Sequence, residues 1–167
     1  MWQTTIQKFN KYPSQQKVII KLLQLGLKID ENKKVYSGDV EINMSSFAKS
    51  INTDRRVIVS TIENILIDKQ LKQIFLNIKP AGPLLSNISE ELGLGVIEIE
   101  GDAQQSGILY EVTNILLKDK ISIRQLYASD PELSQIPKLT IITDTTVNGV
   151  IIPRLLDIDG VTKVSLY

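Results

Sequence analysis

Residues 95–166 change period in an order that few folds satisfy. The run Val96-Ile97-Glu98-Ile99-Glu100 alternates apolar and charged side chains, the two-residue period of a strand with one buried face. It stops at Gly101-Asp102. A polar loop, Ala103-Gln104-Gln105-Ser106, then leads to Gly107 and an amphipathic helix over 107–119, with Leu109, Val112, Ile115 and Leu116 assigned to its buried side. Strands are expected at 121–128 and 138–144, a second helix at about 146–157 with Val147, Val150, Ile151 and Leu155 inward, and a last strand at 161–166. Pro153 removes a donor inside that second helix, so it marks either a late helix start or a kink. The order is βαββαβ. It sets the free N–H groups of a loop and a helix start beside a sheet edge, which suits capture of a small zwitterion better than chemistry on it.

Alternation also assigns the faces of this sheet. Ile97 and Ile99 point toward the helices, while Glu98 and Glu100 point away, with Ser122, Arg124 and Lys163. Opposite charges on that second face are expected to pair across strands. Alternation alone explains the two glutamates, so neither acid–base nor metal chemistry is assigned to them. Tyr110, Tyr127 and Tyr167 are read as core or interface rings.

With 43% hydrophobic and 23% charged residues, a chain of 167 can build a core in one medium domain or two small ones. No run approaches the ~18 uncharged apolar residues of a membrane span. The start, Met1-Trp2-Gln3-Thr4-Thr5, lacks the basic and apolar regions of a signal peptide, so a cytoplasmic protein without membrane association is expected. Cysteine and histidine are both absent. That removes disulfides, thiolate nucleophiles, imidazole bases and Cys or His metal sites. No catalytic residue, metal or cofactor is assigned, and an enzyme is not expected.

The formal net charge of zero conceals a division: residues 1–83 carry 13 Lys+Arg against 7 Asp+Glu, and residues 84–167 carry 6 against 12. The sign changes at Lys79-Pro80-Ala81-Gly82-Pro83, where two prolines and a glycine break helix and strand alike. The domains expected are 1–79, a linker at 80–94 with a short helix near 84–91 that Ser86 or Asn87 caps, and 95–167. Uneven solvated surface is the plain alternative for the charge split.

The basic half reads as mainly helical. A helix over 14–27 has Ser14 as N-cap, Val18, Ile19, Leu22 and Leu25 on its apolar stripe and Gly26 as stop. Strand character surrounds the turn Ser37-Gly38-Asp39, and Asn43 or Ser45 opens a short helix containing Phe47, Ala48 and Ile51. After the turn Asn52-Thr53-Asp54, a helix runs to about Lys69 with Ile58, Ile62 and Ile65 as its stripe, and strand-like composition returns at 71–78. Two helices joined by a short polar turn, with Arg55-Arg56 opening the second, match a helix-turn-helix, and the strand after it would begin a wing. With Ile58 facing the core, Thr53, Arg56 and Ser60 fall on the opposite face and Arg55 on its flank, where they can meet phosphates and base edges of double-stranded DNA. The alternative is a helical dimerisation or docking module with two solvated arginines.

The stretch Gly101-Asp102-Ala103-Gln104-Gln105-Ser106-Gly107-Ile108-Leu109, followed by Val112, Ile115-Leu116, Ile121-Ser122-Ile123 and the closing Ile158-Asp159-Gly160-Val161-Thr162-Lys163-Val164, resembles an ACT domain. With the basic half in front, through Asn52-Thr53-Asp54-Arg55-Arg56-Val57, the chain resembles archaeal predicted regulators of amino acid metabolism. The resemblance implies an α+β protein in which a (winged) helix-turn-helix-like domain precedes a ferredoxin-like βαββαβ sheet with two helices on one face. It further implies a homodimer or higher homo-oligomer with an amino acid held at the subunit interface. Carried over by position, the ligand loop is Asp102, Ala103, Gln104, Gln105, Ser106, Gly107 and Ile108, and the facing strand start is Ile121, Ser122 and Ile123. Asp102 is suited to a ligand ammonium and the helix start to its carboxylate. In the bland reading Asp102 is a turn residue, Ser106 an ordinary N-cap and Gly107 a close-packing glycine. The function expected is an amino-acid-responsive transcription regulator, or alternatively a module that docks on an enzyme of amino acid metabolism without touching DNA.

Overall fold

The computed structural model describes residues 2–167. The chain divides into two compact units, one ending at Gly82 and the other beginning at Pro83. Among the described residues, no helix is long and apolar enough to cross a membrane.

The first unit contains α1 (Trp2–Gln7), α2 (Pro13–Leu25), a small antiparallel sheet of β1 (Lys28–Ile29), β2 (Val35–Ser37) and β3 (Val40–Ile42), then α3 (Met44–Ser50), α4 (Arg55–Ile67) and α5 (Lys69–Asn77). Side chains start three of these helices. The Asn43 carboxamide accepts N–H groups of Ser45 and Ser46 at 3.0 Å each, Asp54 accepts that of Arg56 at 2.7 Å, and Asp68 accepts those of Gln70 and Leu71 at 2.9 and 3.0 Å. α2 differs from expectation: its N-cap is Tyr12, with no side-chain cap, and Pro13 opens the helix because its missing N–H costs nothing there. Val18, Ile19 and Leu22 are buried, but Leu23 takes the place expected for Leu25, which is exposed. The stripe Ile58, Ile62 and Ile65 is wholly buried, together with Thr61.

The largest correction concerns 71–78. These residues form helix α5 and not a strand, so no wing begins there. Asp68 caps it, and Leu71 and Phe75, four apart, are its buried pair. That spacing lies on one face of a helix, and in a strand it would serve equally well. The unit's hairpin, β2–β3, lies before α3, at the Ser37-Gly38-Asp39 turn.

In the second unit, β4 (Gly95–Gly101), α6 (Ile108–Lys118), β5 (Ile123–Ala128), β6 (Lys138–Thr143), α7 (Ile152–Leu156) and β7 (Val161–Leu166) follow one another. The strands form one antiparallel sheet in the order β5-β6-β4-β7. Ile97, Ile99 and Ile141 pack against Val112 and Leu116 of α6 and against Ile151 and Leu155, so both helices cover one face. The expected second helix is shorter than 146–157: Asn148 caps a 3₁₀ turn at Gly149–Ile151, and Pro153 stands in the first turn of α7, where its ring is tolerated. Leu109 and Val150, expected inside, are exposed, and β5 begins at Ile123 and not at Ile121.

On the other face, Val96 and Ile142 are buried beneath Leu85 and Leu94. Gln125 holds this segment, accepting the Leu85 N–H at 3.0 Å and donating to the Pro83 carbonyl at 2.8 Å. Of the linker expected at 80–94, residues 83–94 therefore pack within the second unit. Their helical part is one 3₁₀ turn at Ser86–Ile88 without a side-chain cap. Farther along this face Lys138 meets Glu98 at 2.8 Å and Glu100 at 3.5 Å, and Lys163 meets Glu100 at 3.0 Å.

Candidate functional site

The loop between β4 and α6 is fixed by its contact with the turn before β7. A Cβ on Gly101 would collide with the Gly160 carbonyl, so only glycine lets the two backbones approach. The Asp102 N–H donates to that same carbonyl at 2.9 Å. The loop then turns on itself: the Gln104 N–H donates to Asp102 Oδ1 at 2.9 Å, and the Gln105 N–H to the Asp102 carbonyl at 3.0 Å. The Gln105 side chain reaches Asp159 at 3.3 Å. Asp102 is thus a turn residue, but one with its second carboxylate oxygen outside these bonds.

Gly107 takes φ 98° and ψ −19°, a left-handed conformation that disfavours any residue with a Cβ. Nothing lies within 4 Å of where that Cβ would be, so the backbone angle and not packing requires glycine here. No side chain caps α6, and Ser106 does not act as its N-cap. The Glu111 N–H closes the first turn on the Gly107 carbonyl at 3.0 Å. The N–H groups of Ile108, Leu109 and Tyr110 precede any intrahelical partner and carry the positive end of the helix dipole.

A cleft of about 290 Å³ opens at this helix start. One wall is Ile99, Gly101, Asp102, Ala103, Gln105, Ile108 and Leu109; the other is Ala128, Ser129, Pro131, Pro137, Lys138 and Leu139. Sheet register brings the walls together, because Ala128 pairs with Leu139 and Leu139 with Ile99 across three adjacent strands. The Lys138 ammonium is held by Glu98 and Glu100, chiefly through its hydrogen bond to Glu98, which raises its pKa above the ordinary lysine value. Lys163, in turn, holds Glu100 below the usual carboxylate range. Among the described residues, no group of three or more acidic side chains is placed to hold a metal ion.

Of the expected ligand residues, Asp102, Ala103, Gln105 and Ile108 line the cleft, while Gln104, Ser106 and Gly107 shape the loop behind it. Ile121, Ser122 and Ile123 do not meet them within one chain. Ile123 pairs with Thr143, which pairs with Gly95 at the far end of the sheet. That end is roughly 15 Å away at ~3.3 Å per strand residue. There the Ile121 N–H donates to the Leu116 carbonyl, and the Ser122 carbonyl accepts the Asp144 N–H. Sequence reading missed the second wall. Pro131 and Pro137, which bracket the β5–β6 connection, were the available signal that this loop is ordered.

The expected DNA-facing residues are also divided. Arg55 is exposed and carries no ion pair among the described residues, and Thr53 is half-buried. Arg56 is exposed but pairs with Asp54 at 3.1 Å, and that bond holds Asp54 below the usual carboxylate range. Ser60 stands at the contact of α2 and α4, accepting from Gln15 Nε2 at 3.1 Å and donating to the Val57 carbonyl at 3.0 Å. Neither a protein-family model nor a curated protein sequence matches this chain.

Proposed function

We propose that this chain is a non-catalytic, amino-acid-responsive regulator. Its second unit acts as a ferredoxin-like, ACT-type sensor, and its first unit as a helix-turn-helix-like domain that engages double-stranded DNA. The observation that carries the sensor reading is the cleft at the start of α6, which no side chain caps and where Asp102, Ile108 and Leu109 line one wall. A zwitterion matches that pairing: its carboxylate to the helix start, its ammonium to Asp102.

The exposed edge of the sheet supports a homodimer. β5 is an edge strand that exposes Ile123, Leu126 and Tyr127. Tyr110 and Leu117 on α6 are 67% and 74% exposed, and with Ile121 and Ile123 they line one shallow apolar groove. Antiparallel pairing of two β5 strands would set the partner's strand start, 121–123, beside the cleft end of β5. The two groups of ligand residues would then meet between copies. The ligand regulates if its affinity differs between dimer geometries, since only that difference can shift the spacing of the two α4 starts. Fluorescence anisotropy with genomic DNA fragments, with and without amino acids, tests the DNA half, and absence of any salt-sensitive binding removes it.

A second reading, docking on an enzyme of amino acid metabolism, is favoured by one observation. Lys8, Lys28, Lys33, Lys34, Arg56 and Lys72 are each paired with an acidic side chain, which leaves Arg55 as the uncommitted cation at the α4 start. Ile67 at the other end of α4 is 84% exposed. Co-purification of one enzyme of amino acid metabolism, lost in Ile67→Asp, would select this reading over DNA binding.

A further inference from the structure

We infer that the α6 cleft takes a branched aliphatic side chain, so that the ligand class is leucine, isoleucine or valine; this rests on the sensor reading above. The walls carry the inference. Ile99, Ile108, Leu109, Ala128, Pro137 and Leu139 supply aliphatic surface from four separate segments, and no aromatic ring is among the lining residues. Two of the polar side chains at the margin are engaged elsewhere, Lys138 by Glu98 and Glu100 and the Gln105 amide by Asp159, which leaves Ser129 and Asp102 as the other polar lining. An anionic or amide side chain set against the aliphatic walls would exchange water for apolar surface, which is strongly unfavourable. An aliphatic one exchanges water for apolar surface and gains roughly fourfold in affinity per buried methylene.

Size and charge placement agree. At about 290 Å³ the cleft is at the small end for ligand sites, with room for one amino acid. Asp102 and the first residues of α6, Ile108 and Leu109, line the same wall of the cleft, and the helix start carries the N–H groups that precede any intrahelical partner. A zwitterion anchored at the rim therefore directs its side chain inward. Its polar head reports that something is bound, and the walls decide which amino acid.

The test is calorimetry and thermal shift on the full chain with leucine, isoleucine, valine, alanine, serine, aspartate, lysine and phenylalanine, together with 4-methylpentanoate, which keeps the leucine skeleton and carboxylate but lacks the ammonium. Leucine, isoleucine and valine are expected to bind, leucine at least tenfold more tightly than alanine. Ala128→Leu, at an exposed position, should fill the cleft and weaken leucine at least tenfold while circular dichroism stays unchanged. Leu109→Ser, at a half-exposed wall position, should weaken it several-fold. Tightest binding of serine, aspartate, lysine or phenylalanine overturns the aliphatic assignment and leaves the sensor reading standing. Binding of 4-methylpentanoate with no amino acid overturns the sensor reading and keeps the aliphatic cleft. Leucine binding unaffected by Ala128→Leu overturns the location, and no binding by any compound overturns both.

Discussion

The starts of α4 and α6 solve the same problem in opposite ways. Each helix must satisfy N–H groups that have no intrahelical partner. At α4 the chain answers with its own Asp54, which accepts the Arg56 N–H and pairs with the Arg56 guanidinium as well. At α6 the preceding residue is Gly107, no side chain caps the helix, and its first residues, Ile108 and Leu109, line a mainly apolar cleft. The first start is closed by its own side chain, and the second has no side-chain cap. The difference separates a helix start closed by its own aspartate from one left open beside a cleft, and the proposed sensor site rests on the second.

That contrast can be broken most severely at Gly101. Gly101→Val drives a side chain into the Gly160 backbone and is expected to destabilise the second unit by about 3 kcal/mol, the upper range of overpacking costs. In urea, the tyrosine signal, to which Tyr110, Tyr127 and Tyr167 of the second unit contribute beside Tyr12 and Tyr36 of the first, should gain an earlier transition, while Trp2, the sole tryptophan and part of the first unit, keeps its transition midpoint. A shift of both probes together would mean that the units unfold as one.

Gly107→Ala is the next largest. With open space around the position, its cost is conformational and about 1 kcal/mol, because the left-handed backbone disfavours a Cβ. Thermal denaturation checks it, and ligand binding should weaken as the helix start shifts.

The caps sharpen the comparison directly. Asp54→Ala should lower the melting temperature of the first unit by a few degrees, since it removes the α4 cap. Ser106→Ala should change nothing measurable in the second, since Ser106 caps nothing. The reverse result would refute the assignment of one closed and one open helix start.

The smallest effect is the pH dependence of the first unit's two aspartate caps. Arg56 holds Asp54, and Lys8 holds Asp68, below the usual carboxylate range. A pKa that is lower folded than unfolded contributes stability above the ordinary value of about 4 and loses it as pH falls through the folded value. Stability of the first unit should therefore decline below about pH 4, and Asp54→Ala should flatten that decline in acid titrations.

What the sequence made legible was local. The alternation at 96–100, the stripe Ile58, Ile62 and Ile65, and the caps Asn43 and Asp54 are each written in neighbouring residues, and each helix or strand stands within a few residues of its expected place. Leu71 to Ile78 misled because apolar residues four apart satisfy both periods, and the Asp68 cap, which decides between them, was read as helix interior. Leu109 misled because it lies one helical step from the buried stripe, over the cleft instead of the core. The loop wall of the cleft was legible as a contiguous segment. The wall at Ala128, Pro137 and Leu139 was not, because it exists through strand register between distant residues. The division between 102–108 and 121–123 has the same origin, since only sheet direction reveals that they lie at opposite ends.

The most direct test of the cleft is an amide-resolved NMR titration of the full chain with leucine. Saturable shifts concentrated at Ala103, Ile108, Leu109 and Ala128 are expected, with Arg55 and Arg56 unmoved. Shifts that spare those four residues, or a spectrum unchanged at millimolar leucine, would contradict a ligand held at the open start of α6.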